Sequence, residues 1–333
     1  MTYPFKIERL ASLQAAARRI ADLQGRAAIL GGGLELLDFA RSGADQTPEI
    51  LIPIRQIAPM SYIETRSGEI RIGAGTSIAE IADSTGIRRV AWPLTESANA
   101  VGSSQIRSQS TLAGNLLQRP RCWYFRNGIS CFKNGGNTCP AATGDNRYHA
   151  IFGGGPTYSV FQSDPGLALC ALQATLVIVS PDGERTMPVT DLYVDPKQDA
   201  SREHVLKPGE IIREIRITPL TDRYVGTFMK IRERSGFDFA TVSIALIYNN
   251  FHGRFKDIRV YLGGVAPRPY VPEKALNQIQ YKKLGRGEIP PAADLAAEGA
   301  APLEHNAYKI PMVKRLFREA FEVTYEKLSW RPD

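Results

Sequence analysis

The sequence predicts an α+β fold divided between two domains, residues 1–220 and 221–333. Within the first domain, a strand, a glycine turn and a helix follow one another twice, at residues 27–41 and 70–84. Residues 219–224 have the proline, threonine and aspartate content of a linker. A chain of 333 residues is also longer than one ordinary hydrophobic core supports, which favours two domains.

The first domain is expected to form two lobes, about residues 1–57 and 58–220, with a cysteine-containing insertion at about 119–157. In the first lobe, apolar spacing and turn residues predict a helix at 10–23 with Ser12 as its cap, a strand at 27–30, a short helix at 34–41 and a strand at 50–54.

The second lobe is predicted by the same patterns. Its elements, in order, are a hairpin around Ser67-Gly68, a helix at 78–84 capped by Ser77, a helix at 93–101, a turn-rich stretch at 106–114, a helix at 165–174 capped by Asp164, and strands at 175–180, 185–189 and 211–217. The insertion is polar, rich in Gly and Asn, and without periodicity, which is typical of a functional loop.

The second domain is predicted to be small and of α+β type. Its elements are three apolar strands at 225–231, 240–248 and 258–263, a region of weak helical pattern, and an amphipathic helix at 310–327.

Composition excludes several classes of function. The net charge of +7 is spread along the chain without the clustered, aromatic-interleaved pattern of nucleic-acid binding. No apolar run approaches the roughly 18 residues of a membrane span. The first 25 residues lack a signal-peptide core. We therefore expect a cytoplasmic protein by default. The alternative is a periplasmic location, which the chain would reach by co-export with a signal-bearing partner.

Two glycine turns are candidate phosphate sites. Gly31-Gly32-Gly33 lies between a predicted strand and helix, and Thr111-Leu112-Ala113-Gly114-Asn115 offers a hydroxyl, an amide and backbone N–H groups. Local turn hydrogen bonds are the alternative interpretation of both. The chain has neither the dinucleotide Gly-x-Gly-x-x-Gly pattern with its acidic partner nor the Walker lysine.

Three of the four cysteines, Cys122, Cys131 and Cys139, fall within 18 positions. Such clustering favours a metal or redox site over a disulfide framework. The spacing C-x8-C-x7-C is neither a zinc-ribbon nor a ferredoxin pattern.

The chain resembles the FAD-binding middle subunit of molybdenum hydroxylases, the xanthine dehydrogenase and aldehyde oxidoreductase family. The resemblance covers nearly the whole chain. It is carried by residues 30–38, 70–76, 104–115, Ser163-Asp164, 230–240 and 306–310.

This resemblance implies a two-lobed FAD-binding domain of the vanillyl-alcohol-oxidase type, followed by a small α/β C-terminal domain. It implies that the FAD pyrophosphate is clasped by Leu30, Gly31, Gly32, Gly33, Leu34, Glu35, Thr111, Gly114 and Asn115. Asp164 would bind the adenosine side, and Ile212 and Lys230 would lie near the rings. Many relatives have Thr or Ser at the position of Leu34, so here backbone contact replaces one side-chain phosphate bond.

A subset of the family resembles this chain in having a cysteine insertion, which there holds a [4Fe-4S] cluster. Cys122, Cys131 and Cys139 match three of its ligands, and no cysteine follows Gly153-Gly154-Gly155 where the fourth is placed. Cys170 and His149 are the remaining candidates, and a lost or altered cluster is the alternative.

The resemblance implies an electron-transfer subunit that works with a molybdenum-cofactor large subunit, a [2Fe-2S] small subunit and an external acceptor, either NAD, oxygen or a protein. The competing interpretation is a degenerate or scaffold nucleotide-binding subunit without redox activity. A standalone flavin oxidase is disfavoured because the sequence shows no catalytic acid–base pair. The substrate of the complex belongs to a partner subunit.

Overall fold

The computed structural model describes residues 5–44, 47–57, 59–66, 68–234, 236–283 and 285–329. Within these ranges the chain has the predicted α+β fold, with three separate sheets packed against helices. Ser67 of the predicted hairpin lies outside the described residues. None of the described helices is long and apolar enough to cross a membrane.

The first lobe is built on a small parallel sheet. Its elements are β1 (Lys6–Ile7), α1 (Leu13–Leu23), β2 (Ala27–Leu30), α2 (Leu36–Ser42) and β3 (Ile50–Pro53). The strand order is β1-β3-β2, and both pairings are parallel. Helix α1 begins directly after Ser12, whose side chain accepts a hydrogen bond from the Ala15 N–H and caps the helix as predicted.

The second lobe surrounds a five-stranded antiparallel sheet. Its elements are β4 (Ile63–Arg66), β5 (Glu69–Gly73), α3 (Ile78–Asp83), α4 (Thr85–Val90), α5 (Trp92–Asn99), α6 (Ser104–Gln109), α7 (Leu112–Leu116), α8 (Trp123–Arg126), α9 (Asp164–Ala171), β6 (Thr175–Ser180), β7 (Gly183–Pro188) and β8 (Ile211–Ile217). The strand order is β4-β5-β8-β6-β7.

Two predictions for this lobe need correction. The cap of α9 is Ser163, whose hydroxyl accepts a hydrogen bond from the Gly166 N–H, whereas Asp164 is the first helical residue. The stretch 106–114 holds the end of α6 and most of α7 rather than turns alone. Short helices of this kind depend on their caps, here Ser103 and Thr111, more than on any apolar period.

The C-terminal region forms the third sheet. Its elements are β9 (Tyr224–Ile231), β10 (Val242–Phe251), β11 (Arg254–Gly263), α10 (Glu273–Ile279), α11 (Ile289–Leu295) and α12 (Lys309–Ser329). The antiparallel order is β11-β10-β9. Strand β10 is buried on both faces: Ala245 and Ile247 join the core of the first region, and Ile244 and Leu246 join the core under α12.

The insertion packs against the beginning of α12. Lys309 is fully buried, and its ammonium donates hydrogen bonds to the carbonyl oxygens of Tyr148 and His149 at 3.0 Å and of Gly264 at 2.7 Å. Burial lowers the pKa of Lys309 to about 7. The buried Lys309 side chain thus links the insertion to the C-terminal sheet.

This burial predicts a pH-dependent contribution to stability. The pKa of Lys309 lies at about 7 in the folded protein and at the ordinary 10.5 when exposed, so between these values the unfolded state binds more protons. The contribution of Lys309 to the free energy of unfolding therefore rises with pH, by about 1.4 kcal/mol per pH unit inside that window. In denaturant unfolding, we expect the free energy of unfolding of wild type, relative to that of Lys309→Met, to increase progressively between pH 7 and 10. A constant difference across this range would contradict the assignment.

Candidate cofactor cleft and cysteine site

A cleft of about 540 Å³ lies where the first two sheets and the C-terminal strands meet. It contains both glycine turns. The residues predicted for cofactor binding that line it are Gly31, Gly32, Gly33, Leu34, Glu35, Thr111, Gly114, Asn115, Asp164, Ile212 and Lys230. Leu30 does not line the cleft, and its Cδ1 atom lies 3.3 Å from the position that a Cβ on Gly33 would take. The structure thus brings the other eleven together from five segments of the chain.

The first glycine turn packs closely against residues 109–111, at the start of the second. A Cβ atom on Gly32 would lie 2.0 Å from the carbonyl oxygen of Gln109, and one on Gly31 would lie 2.9 Å from Thr111 Oγ1. The side-chain amide of Gln109 donates a hydrogen bond to the Gly32 carbonyl at 2.7 Å. Only glycine permits this approach, and it leaves backbone N–H groups at the cleft wall.

Two polar side chains of the second glycine turn, Thr111 and Asn115, are fixed by hydrogen bonds to other groups of the protein. Thr111 Oγ1 accepts a hydrogen bond from the Gly114 N–H at 3.2 Å, so the hydroxyl caps α7. Ser163 donates a hydrogen bond to Asn115 Oδ1 at 2.7 Å. The local turn bond and the predicted ligand role therefore coexist: the Thr111 hydrogen and the Asn115 amide N–H groups stay available to an acceptor in the cleft.

Glu35 has a different environment from the one predicted. Its carboxylate is paired with Arg126 at 2.5 Å and with Arg121 at 3.2 Å, and it accepts a hydrogen bond from the Arg119 backbone N–H at 2.9 Å. Burial lowers the pKa of Arg121 to about 10, although the Glu35 charge opposes this shift. A carboxylate so engaged joins the first glycine turn to the insertion, and because it would repel a phosphate, the predicted contact of Glu35 would be made by its backbone N–H group.

Asp164 and Lys230 form a buried ion pair of 2.7 Å, and Lys230 also donates a hydrogen bond to the Ala100 carbonyl at 3.1 Å. Burial raises the pKa of Asp164, and the neighbouring Lys230 ammonium lowers it. The adenine and isoalloxazine groups stand at opposite ends of FAD. Asp164 and Lys230 are in direct contact and so lie at one place in the cleft, and the separate roles expected of them remain predictions.

The cysteines of the insertion lie near one another, and none of the four cysteines, all of which the structure describes, is in a disulfide. Burial raises the pKa of Cys122, hydrogen bonds from the backbone N–H groups of Phe125 and Tyr124 lower it, and the charges of Cys139 and Cys131 raise it further. Cys170 lies instead in α9, fully buried in the main core, where burial raises its pKa. In the described part of the chain, no three His, Cys, Asp or Glu side chains are close enough to hold a single metal ion.

A second cavity of about 590 Å³ lies beside the cleft and is lined by Cys122, Trp123, Tyr148 and His149 among others. The two cavities share a wall. Arg121, Gln162, Asp238 and Phe239 line both. In this wall the Arg121 guanidinium lies 4.7 Å from the centre of the Phe239 ring, a cation–π contact.

Sequence reasoning missed the arginines that join the insertion to Glu35 and the contribution of Gln109. The pairs Glu35–Arg126 and Gly32–Gln109 are 91 and 77 positions apart in the chain. No local pattern indicates contacts at that separation. The concentration of arginine around Cys122 was the one available signal that a buried carboxylate had to be nearby.

The Asp164–Lys230 pair generates a prediction on stability. Lys230→Met leaves a buried carboxylate without its partner, which typically costs about 3–5 kcal/mol. Adding Asp164→Asn removes the remaining charge, and we expect the double variant to recover much of that loss in urea unfolding of the flavin-free protein. The deficit of the single variant should also shrink at acid pH, as Asp164 becomes protonated. Equal losses in the single and double variants would contradict a charge-based effect.

Comparison with known proteins gives matches over both regions. Residues 3–220 match the family described as FAD binding domain in molybdopterin dehydrogenase, and residues 227–324 match the CO dehydrogenase flavoprotein C-terminal domain. The aldehyde oxidoreductase FAD-binding subunit PaoB of Escherichia coli is 32% identical over 317 residues, covering 93% of this chain and 95% of that protein. The carbon monoxide dehydrogenase medium chain of Hydrogenophaga pseudoflava is 22% identical, covering 96% of each.

Solved structures share the fold. A chain of carbon monoxide dehydrogenase from Hydrogenophaga pseudoflava has a TM-score of 0.77 at 22% identity, covering 98% of this chain and 99% of that one. A chain of quinoline 2-oxidoreductase from Pseudomonas putida 86 has a TM-score of 0.76 at 21% identity with the same coverage. With its two glycine turns meeting in one cleft, this chain belongs to the family of FAD-binding medium subunits of molybdenum hydroxylases.

Proposed function

We propose that this chain binds FAD in the cleft and is the electron-transfer subunit of a molybdenum-containing hydroxylase complex. The observation that carries the proposal is the contact between Gly32 and the Gln109 carbonyl, which closes two glycine turns around one cavity. The PaoB relative, named as an aldehyde oxidoreductase FAD-binding subunit, supports it. Bound FAD supplies the redox chemistry, and the protein positions it.

The residues of the cleft suit the parts of such a ligand. Backbone N–H groups of the Gly31–Gly33 turn, with the Thr111 hydroxyl and the Asn115 amide, are donors for an anionic pyrophosphate. Apolar Ile212 and the Asp164–Lys230 pair lie together in the same cleft, and a flat ring with polar edges matches this mixture. We propose that these three face the isoalloxazine end.

We further propose partners and a division of the chain. A molybdenum-cofactor large subunit and a [2Fe-2S] small subunit would supply electrons, and an external acceptor, NAD, oxygen or a protein, would remove them. The relatives named as medium chains support assembly with other subunits. The domain division near residue 221 falls between the two family matches, which end at 220 and begin at 227.

Cys122, Cys131 and Cys139 are proposed to hold a [4Fe-4S] cluster in this subunit. Three free thiols close enough to interact electrostatically support this, as do the two backbone N–H groups directed at Cys122, since such donors stabilise a ligating thiolate. Cys170 is excluded as the fourth ligand by its place in the main core.

The flavin proposal is tested by Gly32→Ala. The added Cβ would overlap the Gln109 carbonyl, so the two glycine turns must separate. Wild-type protein is expected to absorb at about 450 nm through its bound flavin, and the flavin content of the variant should be severalfold lower. Gly287→Ala is the matched control, because a Cβ at that position would have no neighbour within 4 Å and flavin content should be unchanged. Full flavin content in folded Gly32→Ala would contradict the proposed role of the two glycine turns in flavin binding. Colourless wild-type protein would favour a scaffold subunit without flavin.

Iron and sulfide quantification of the purified complex tests the cluster. We expect four iron atoms beyond those of the small subunit. Cys139→Ala should lose them, whereas Cys170→Ala should retain them because its thiol lies in the main core. A wild-type complex with no iron beyond the small subunit's would show that the cluster is absent.

A further inference from the structure

Arg121 and Lys230 are the cations among the described residues that line the cleft. Acidic residues outnumber them on the same wall: Glu35, Asp38, Asp164, Glu210 and Asp238. The pyrophosphate of FAD is anionic, and a wall with this balance of charges repels an anion unless a cation faces it directly. The question is therefore which of the two cations can meet the pyrophosphate.

Lys230 is already engaged within the wall. Its ammonium is paired with Asp164 at 2.7 Å and donates a hydrogen bond to the Ala100 carbonyl at 3.1 Å. Only 4% of the Lys230 side chain is exposed, whereas 30% of the Arg121 side chain is exposed. Arg121 is therefore the cation better placed to meet an anionic group of a ligand.

Glu35 does not depend on Arg121 alone for its partner. Arg126 lies closer to the Glu35 carboxylate, at 2.5 Å against 3.2 Å for Arg121, and the Arg119 backbone N–H donates a hydrogen bond to it at 2.9 Å. The Arg126 side chain is also the more deeply buried of the two, with 15% exposed. Glu35 thus stays paired through Arg126 when Arg121 directs its charge and donors to a ligand.

The contacts of Arg121 place it between the two glycine turns. Its Nη2 atom lies 3.2 Å from Glu35, two residues beyond Gly33, and donates a hydrogen bond at 3.4 Å to Gln118, three residues beyond Asn115. Its Nε atom is buried and makes no hydrogen bond. A guanidinium has five N–H donors, and a buried donor without a partner calls for an acceptor.

We infer that Arg121 is a further FAD-binding residue, whose guanidinium donates hydrogen bonds to the pyrophosphate between the two glycine turns. The inference rests on the proposed binding of FAD in the cleft. Arg121 supplies a side-chain charge that the first turn lacks, since residues 31–34 are Gly-Gly-Gly-Leu. The insertion therefore contributes to flavin affinity whether or not its cysteines hold a cluster.

The inference is tested by titrating FAD into the full chain after its flavin is removed, with binding followed by flavin fluorescence. Arg121→Met keeps the apolar length of the side chain without its charge and donors, and we expect the Kd for FAD to rise about tenfold to hundredfold. Arg121→Lys keeps the charge without the planar donors and should lie between Met and wild type. Arg147→Met is the matched control, because Arg147 is an exposed arginine of the same insertion that does not line the cleft, and the Kd should be unchanged.

ADP distinguishes the pyrophosphate from the ring system, because it carries a diphosphate and no isoalloxazine. Its Kd, measured by calorimetry, should rise in Arg121→Met by a factor similar to that for FAD. Weaker FAD binding with unchanged ADP binding would place Arg121 at the isoalloxazine and overturn the inference. Unchanged FAD binding in Arg121→Met would also overturn it.

A double-variant cycle separates a direct contact from an effect exerted through Glu35. In Glu35→Gln the carboxylate charge is gone, and adding Arg121→Met should still weaken FAD binding by a similar factor if Arg121 meets the phosphate. Loss of the effect in that background would show that Arg121 only neutralises Glu35, and would overturn the inference while leaving FAD binding intact. Circular dichroism checks that each variant is folded, and Arg121→Gln replaces Arg121→Met if the latter does not fold. A wild-type chain that binds neither FAD nor ADP would overturn the proposed function as well.

Discussion

The backbone contact between Gly32 and Gln109 is the constraint on which the cleft depends. It is steric, because any side chain at Gly32 would occupy the space of the Gln109 carbonyl. The contact joins the parallel sheet of the first lobe to the helices of the second, so that donors far apart in the chain face one cavity. Thr111 is then held by a hydrogen bond within its own turn, and Asn115 by a hydrogen bond from Ser163, 48 positions away. Binding groups fixed in this way lose little freedom when a ligand arrives.

The C-terminal sheet also helps to form the cleft. Strand β10 is apolar at successive positions because α5 and α9 cover one face of its sheet and α12 covers the other. This packing fixes β9, which carries Lys230 into the cleft beside Asp164. Glu96 of α5 accepts a hydrogen bond from the Phe228 N–H at 2.7 Å and strengthens the junction. The cleft is therefore a product of both regions.

Sequence reasoning succeeded where the determinants are local. Ser12 and Ser77 cap helices as predicted because a cap depends on neighbours within three positions. The glycine turns were predicted for the same reason, and the family resemblance assigned both of them to one cofactor. Sequence reasoning missed the ion pairs of Glu35 and Asp164, whose partners lie 91 and 66 positions away. A carboxylate near a phosphate turn has no local signature that tells a ligand contact from an ion pair.

The attachment of Glu35 to the insertion restricts how such a chain can change over evolutionary time. Removing the insertion would delete Arg121 and Arg126 together and leave a partly buried carboxylate beside a turn suited to anions. Electrostatic repulsion of the ligand would follow. A lineage that discards the cysteine segment must therefore replace Glu35 first or at the same time. Loss of the cysteine segment and retention of the anion-binding turn are coupled through a single acidic side chain.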